Sequence, residues 1–219
     1  MLEMNCVNLG ARGAGLDFLS KRLLSYCLEK NDYVAIMLPS SDRFDWYIDY
    51  DSPLQKEALQ TASWQNGKSP ELLDINGNTS LQSGYCLSGG EHRGYKKYWF
   101  KYFFSETKAS LDYWSTVVFL QRYLESENIQ YFFTSAYNKD DLIEQPCNKS
   151  SSTNQVISHI KSKIDFTKFV YYNADKGFLD FAKQNNFEYF DKNYPGTKAH
   201  KSFAEYLYQQ INNQYKFDK

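Results

Sequence analysis

The stretch Asn5-Cys6-Val7-Asn8-Leu9-Gly10-Ala11-Arg12-Gly13-Ala14-Gly15 decides the fold class, together with Leu16, Leu19, Leu23, Leu24 and Cys27, which follow it at helical spacing. A short apolar run, a glycine-rich turn and an amphipathic run read as strand, turn, helix. Tyr33 then leads into Val34-Ala35-Ile36-Met37-Leu38, closed by Pro39-Ser40-Ser41-Asp42. A continuous apolar run of this length suits a strand covered on both faces, as in a parallel sheet. Strand, helix, strand is the opening of an α/β domain.

The rhythm returns further along. From Tyr95 to Glu127 the pattern is helical, with a break near Ser105, and Tyr98, Tyr102, Leu111, Trp114, Val118, Phe119 and Leu124 are expected on one broad face. Ile129 to Ser135 reads as a strand, Phe169-Val170-Tyr171-Tyr172 as a strand or extended segment, Gly177 to Gln184 as a short helix, and Glu188-Tyr189-Phe190 as a last short strand. Asn148 to Asn154 reads as a polar, serine-rich loop. In the final helix Pro195 is expected in the first turn, and His200, Ala204, Leu207 and Ile211 on the packed face. Between about 50 and 94 the chain is rich in Gly, Asn, Ser and Gln with no clear period, which reads as a loop-rich insertion or lid within one domain spanning 1–219.

Composition narrows the function classes. At 219 residues the chain can bury a sizeable core, and 16 Phe, 19 Tyr and 4 Trp make aromatic-lined clefts, suited to sugars and other flat amphipathic ligands, an expected feature. The balance of 25 basic and 26 acidic side chains, a formal charge of −1, does not favour a nucleic-acid binder. Lys96-Lys97-Tyr98-Trp99-Phe100-Lys101-Tyr102 has the composition of a single-strand stacking platform, but it fits an amphipathic packing helix better. Cys6, Cys27, Cys86 and Cys147 lie far apart, so neither a metal site nor a redox motif is expected. Gly10 to Gly15 lacks the spacing of a dinucleotide loop, since Leu16 stands at the last glycine position, and no cofactor is expected. No run approaches the roughly 18 apolar residues of a membrane span, and Met1 is not followed by a signal-peptide pattern; the expected location is cytoplasmic.

In an open α/β sheet ligands bind beyond the carboxyl ends of the strands, which singles out Gly10 to Gly15, Pro39 to Arg43 and Asp191 to Gly196. The last of these is the most specific. Asp191-x-x-Tyr194-Pro195 followed by His200 resembles the closing D-x-x-H-P block of the SGNH (GDSL-like) hydrolases. Asn8 to Gly15 resembles the family's second block, with Gly13 the best match for the oxyanion-hole glycine. Ile36 to Phe44 resembles its third, with Ser40 and Ser41 where the family places an asparagine. The resemblance covers most of the chain through short motifs. It implies a three-layer α/β/α sandwich with a flavodoxin-like, mainly parallel sheet, and hydrolysis of acyl or acetyl esters on a small molecule or glycan. In that scheme Asp191 orients the base, and Gly13 with Ser40 or Ser41 forms the oxyanion region.

Two departures bear on activity. The opening Gly-Asp-Ser block, which brings the nucleophile at the end of the first strand, has no counterpart in the sequence. That strand would sit near the middle of the sheet, and an upstream origin for it is the leading expectation. At the base position stands Tyr194, a phenol whose ordinary pKa near 10 makes it a poor proton acceptor at neutral pH. His200 is the alternative base, or else a histidine packed near a helix start; His92 and His159 have no partner in a recognised arrangement. Asp191 orients the base or caps a turn, and Gly13 donates to an oxyanion or makes a tight turn. Arg43, Asp45 and Trp46 bind a sugar or acyl group, or cap and pack their loop. The competing class is a noncatalytic module that keeps the cleft for a carbohydrate or a protein partner.

Overall fold

The structure, a computed structural model, describes residues 7–10, 14–41, 43, 45–48, 72–73, 76, 79–80, 84–87, 101–102, 104–139, 151–191 and 194–215. Its elements are α1 (Leu16–Ser25), β1 (Tyr33–Leu38), β2 (Asp45–Ile48), β3 (Leu72–Leu73), β4 (Thr79–Ser80), β5 (Gly84–Leu87), α2 (Glu106–Ser126), β6 (Gln130–Ser135), α3 (Ser151–Lys161), a 3-10 turn (Phe166–Lys168), α4 (Phe178–Gln184), β7 (Tyr189–Asp191), β8 (Tyr194–Pro195) and α5 (Thr197–Tyr215). Helices and strands are mixed along the chain around a parallel pair, the α/β pattern expected from the apolar runs.

The pair is β1 with β6, in register from Tyr33↔Gln130 to Leu38↔Ser135. A parallel bridge, Phe133↔Phe169, brings the expected extended segment alongside β6, and the Val170 N–H donates to the Phe133 carbonyl at 2.8 Å. Successive side chains of β6 enter different cores, as the period of a strand requires. Tyr131 and Phe133 pack with Leu16 and Leu23 of α1, Trp114 and Val117 of α2 and Ile157 of α3. Phe132 packs instead with Phe178 and Phe181 of α4 and Phe203 and Leu207 of α5. Burying side chains of this size stabilises by roughly 1.5–3 kcal/mol each, so both cores hold β6 in place. Its partner β1 is less covered: Ala35 and Met37, in register with Phe132 and Thr134, are exposed. Among the described residues β1 has no strand on its other edge.

Several elements differ from the sequence expectation. Residues 7–10 are not a strand: Val7 is exposed, and the Asn8 side chain accepts the Gly10 N–H at 2.9 Å, a local turn. From the stretch read as loop-rich come β3, β4 and β5, which form with β2 a four-stranded sheet of order β2-β5-β3-β4, antiparallel throughout. Ser151 to Asn154, read as loop, begins α3; serine and threonine serve well at helix starts. The break before α2 falls where expected, because the Ser105 hydroxyl caps the helix by accepting the Lys108 N–H. The buried side of α2 is turned from the expected one, however. Tyr113, Val117, Leu120 and Gln121 are buried with Trp114 and Leu124, while Tyr102 and Phe119 are exposed. Phe119 stacks on Tyr123 on that outer side.

Pro195 lies in β8 opposite Tyr189, where its missing N–H is harmless in a two-stranded hairpin; α5 starts two residues later, after Gly196. The packed stripe of α5 is Ala199, Phe203, Leu207 and Ile211, and His200 and Ala204 are exposed. A hydrogen bond from the Tyr206 hydroxyl to the Tyr171 carbonyl, 3.2 Å, ties α5 to the segment beside β6. No helix among the described residues is long and apolar enough to cross a membrane.

Candidate functional site

The carboxyl end of β1 builds the first half of the site. Leu38 is fully buried, Pro39 is buried behind it, and the chain turns through Ser40 and Ser41 as the Arg43 N–H donates to the Ser40 carbonyl at 3.2 Å. Both serines are half-buried. The turn delivers Asp45, the first residue of β2, to the start of α1. There the Gly15 N–H donates to both carboxylate oxygens (2.9 and 3.0 Å), and the Phe18 N–H donates to Oδ2 (3.0 Å).

A helix leaves its first N–H groups without intrahelical partners, and the N-cap residue of α1, Gly15, has no side chain to fill them. Asp45 caps it from thirty residues downstream, and the negative charge suits the positive end of the helix dipole. The close approach needs glycine at position 15. A Cβ there would lie 2.8 Å from Asp45 Oδ2 and 2.9 Å from the Arg43 carbonyl oxygen. Burial pushes the Asp45 carboxyl up to about 6. The N–H groups of Gly15 and Phe18 oppose that rise, Asp17 adds to it and Lys21 draws it down. Of the two readings of Arg43, Asp45 and Trp46, capping is therefore the one Asp45 fulfils. Its carboxylate also occupies N–H groups that a ligand's oxyanion would otherwise meet at the start of α1.

The second half lies beyond β6. The Ser135 hydroxyl accepts the Tyr137 N–H (2.9 Å), the Asn138 side-chain Oδ1 accepts the Gly177 N–H (3.1 Å), and the Leu179 N–H donates to the Ala136 carbonyl (3.1 Å). These bonds clamp the loop after β6 to the start of α4. The fit is again tight at a glycine, since a Cβ on Gly177 would stand 2.3 Å from the Tyr137 carbonyl oxygen. Phe178, the next residue, carries the His200 ring at 4.5 Å between centroids. His200, an exposed residue, is thereby placed by α5 against the α4 end of the loop that leaves β6, and its backbone N–H donates to the Gly196 carbonyl.

Asp191 and Tyr194 are opposite one another in the β7–β8 hairpin, immediately before α5. The structure thus brings their backbones together at the entry to the helix that carries His200, and it sets Ser40, Ser41 and Asp45 together at the end of β1. Gly13 lies outside the described residues, as do His92 and the segment 95–100 of the basic-aromatic stretch. His159 is an exposed residue of α3. Sequence reasoning did not single out Ser135 or Asn138; their position just past an apolar run was the signal available. No cluster of His, Cys, Asp and Glu suited to a metal ion occurs among the described residues. No family model, no curated protein and no solved structure matches the chain.

Proposed function

We propose that this chain is an SGNH-like domain, a three-layer α/β/α sandwich with a flavodoxin-like sheet, whose cleft beyond the carboxyl ends of β1 and β6 holds an acyl- or acetyl-bearing small molecule or glycan. As it stands the domain binds this ligand without hydrolysing it. The observation that supports the reading is that the motif-bearing segments meet in two groups, one at the carboxyl end of β1 and one at the entry to α5. The Ser40–Ser41 turn and the start of α1 meet at Asp45, and the Asp191–Tyr194 hairpin leads directly into the helix with His200. Two cores on alternate sides of β6 accord with the layered part of the proposal.

Binding without turnover follows from the chemistry of the residues. No Gly-Asp-Ser sequence occurs in the chain, so no serine has the family's nucleophile position. At the base position a neutral phenol replaces imidazole, and a hydroxyl without a base is a weak nucleophile. The purified chain should bind acetylated oligosaccharides in calorimetry and should hydrolyse p-nitrophenyl acetate no faster than buffer does. Turnover that disappears in Asp191→Ala would replace this proposal by a working esterase. Absence of binding to acetylated and plain oligosaccharides alike would remove the ligand-holding cleft.

A further inference from the structure

Tyr137 stands at the carboxyl end of the middle strand. β6 runs between β1 and the segment at Phe169 and Val170, all three parallel, so the residues after Ser135 leave the sheet at the centre of the edge where an open α/β fold takes its ligands. Every residue from 136 to 139 is tied there. The Ala136 carbonyl accepts the Leu179 N–H, the Tyr137 N–H donates to Ser135 Oγ, Asn138 Oδ1 accepts the Gly177 N–H, and the Lys139 N–H donates to the Asp175 carbonyl at 2.7 Å. The turn that supplies Asp175 is itself closed by two bonds of 2.7 Å between the backbones of Tyr172 and Lys176. Gly177 completes the clamp: with a Cβ there only 2.3 Å from the Tyr137 carbonyl oxygen, glycine alone lets the two segments approach so closely.

Loops are ordinarily the less firmly bonded parts of a fold, and the ones fixed to a rigid scaffold are where binding groups are carried. What this clamp holds still is an aromatic side chain. Tyr137 packs in part against the larger core and is half-buried, so it is anchored on one side and reaches the surface on the other. A ring fixed in this way loses little freedom on binding, and its flat face suits the apolar C–H face of a pyranose. Asn138 and Lys139, both half-buried, bring polar side chains next in the chain, of the kind that meet hydroxyl groups around an aromatic contact. We propose that Tyr137 is the residue on which a sugar ring of the ligand stacks, which makes the ligand a glycan and the acyl or acetyl group its substituent. This assignment rests on the ligand-holding cleft proposed above and narrows it.

Calorimetry with xylotetraose, acetylated xylotetraose and ethyl acetate tests it on the parent, Tyr137→Phe and Tyr137→Leu, each checked for folding by circular dichroism. Phenylalanine keeps the ring, whereas leucine keeps only apolar bulk against the core. Both oligosaccharides should bind Tyr137→Phe within about twofold of the parent and Tyr137→Leu roughly five- to tenfold more weakly. On the unaltered protein, nuclear Overhauser contacts should join sugar C–H protons to the Tyr137 ring, a reading that holds even if the leucine variant does not fold. Oligosaccharide binding by Tyr137→Leu as tight as the parent's, or ring contacts to the acetyl methyl alone, would overturn the stacking role and leave the cleft standing. Binding of ethyl acetate alone would keep an acyl site and remove the sugar. Binding of none of the three would remove both the cleft and the role given to Tyr137.

Discussion

Asp45 combines two opposing demands on one carboxylate. The start of α1 rewards a negative charge, while burial penalises it, and burial prevails enough to bring the group up to about 6. Titration should therefore be visible at its hydrogen-bond partners: the Gly15 and Phe18 amide resonances should move with a midpoint near pH 6 and stay still in Asp45→Asn. The sign for stability follows from proton counting. The unfolded carboxyl releases its proton near pH 4 and the folded one near 6, so the folded chain holds more protons across that window. This group's contribution is fully present below about pH 4 and is lost as pH rises through about 6; urea unfolding at stepped pH should show that slope in the parent and not in Asp45→Asn. Little of this was legible beforehand. The sequence places Asp45 just past a strand end, but the partner N–H groups lie thirty residues away, and a cap at that distance exists only once β1 has set α1 beside the turn.

Among the elements, helices show what periodicity can and cannot decide. In α5 the stripes 199, 203, 207, 211 and 200, 204, 207, 211 share two members and fit the helical period equally; Phe203, with more apolar surface than Ala204, settles the phase by burial. In α2 aromatics occur all round, so the buried side follows from what faces it. Gln121 illustrates this. A polar residue, it is nonetheless buried on α2 because its side-chain amide pairs with both backbone groups of Asp165, each at 3.0 Å, and so anchors the turn into the segment beside β6. Gln121→Leu keeps the bulk and orphans a backbone N–H and a carbonyl. It should destabilise the fold by roughly 1–3 kcal/mol in urea unfolding, the cost of leaving two part-buried polar groups unbonded. The strands β3 and β4 were beyond sequence reasoning for a simpler reason: two residues carry no period.

For the molecule as a whole, the long apolar runs that became β1 and β6 were the readable part, because continuous hydrophobicity at strand length has few other outlets in an α/β chain. The two strands are nevertheless unequal. β6 is covered by both cores, whereas β1 exposes Ala35 and Met37 and has one described neighbour. Amide exchange should reflect that difference, with Phe132 and Phe133 among the slowest amides and alternate amides of β1, those not paired to β6, exchanging much faster. Uniform protection along β1 would show its outer edge to be covered in solution. Finally, the register that joins Tyr33 to Gln130 spans about a hundred residues of intervening chain. On a ribosome adding about 5–20 residues per second, β1 emerges on the order of 5–20 s before its partner is made. Through that interval Val34 to Leu38 is an apolar strand without a sheet, and the nascent chain depends on α1, or on a chaperone, to keep it from others of its kind.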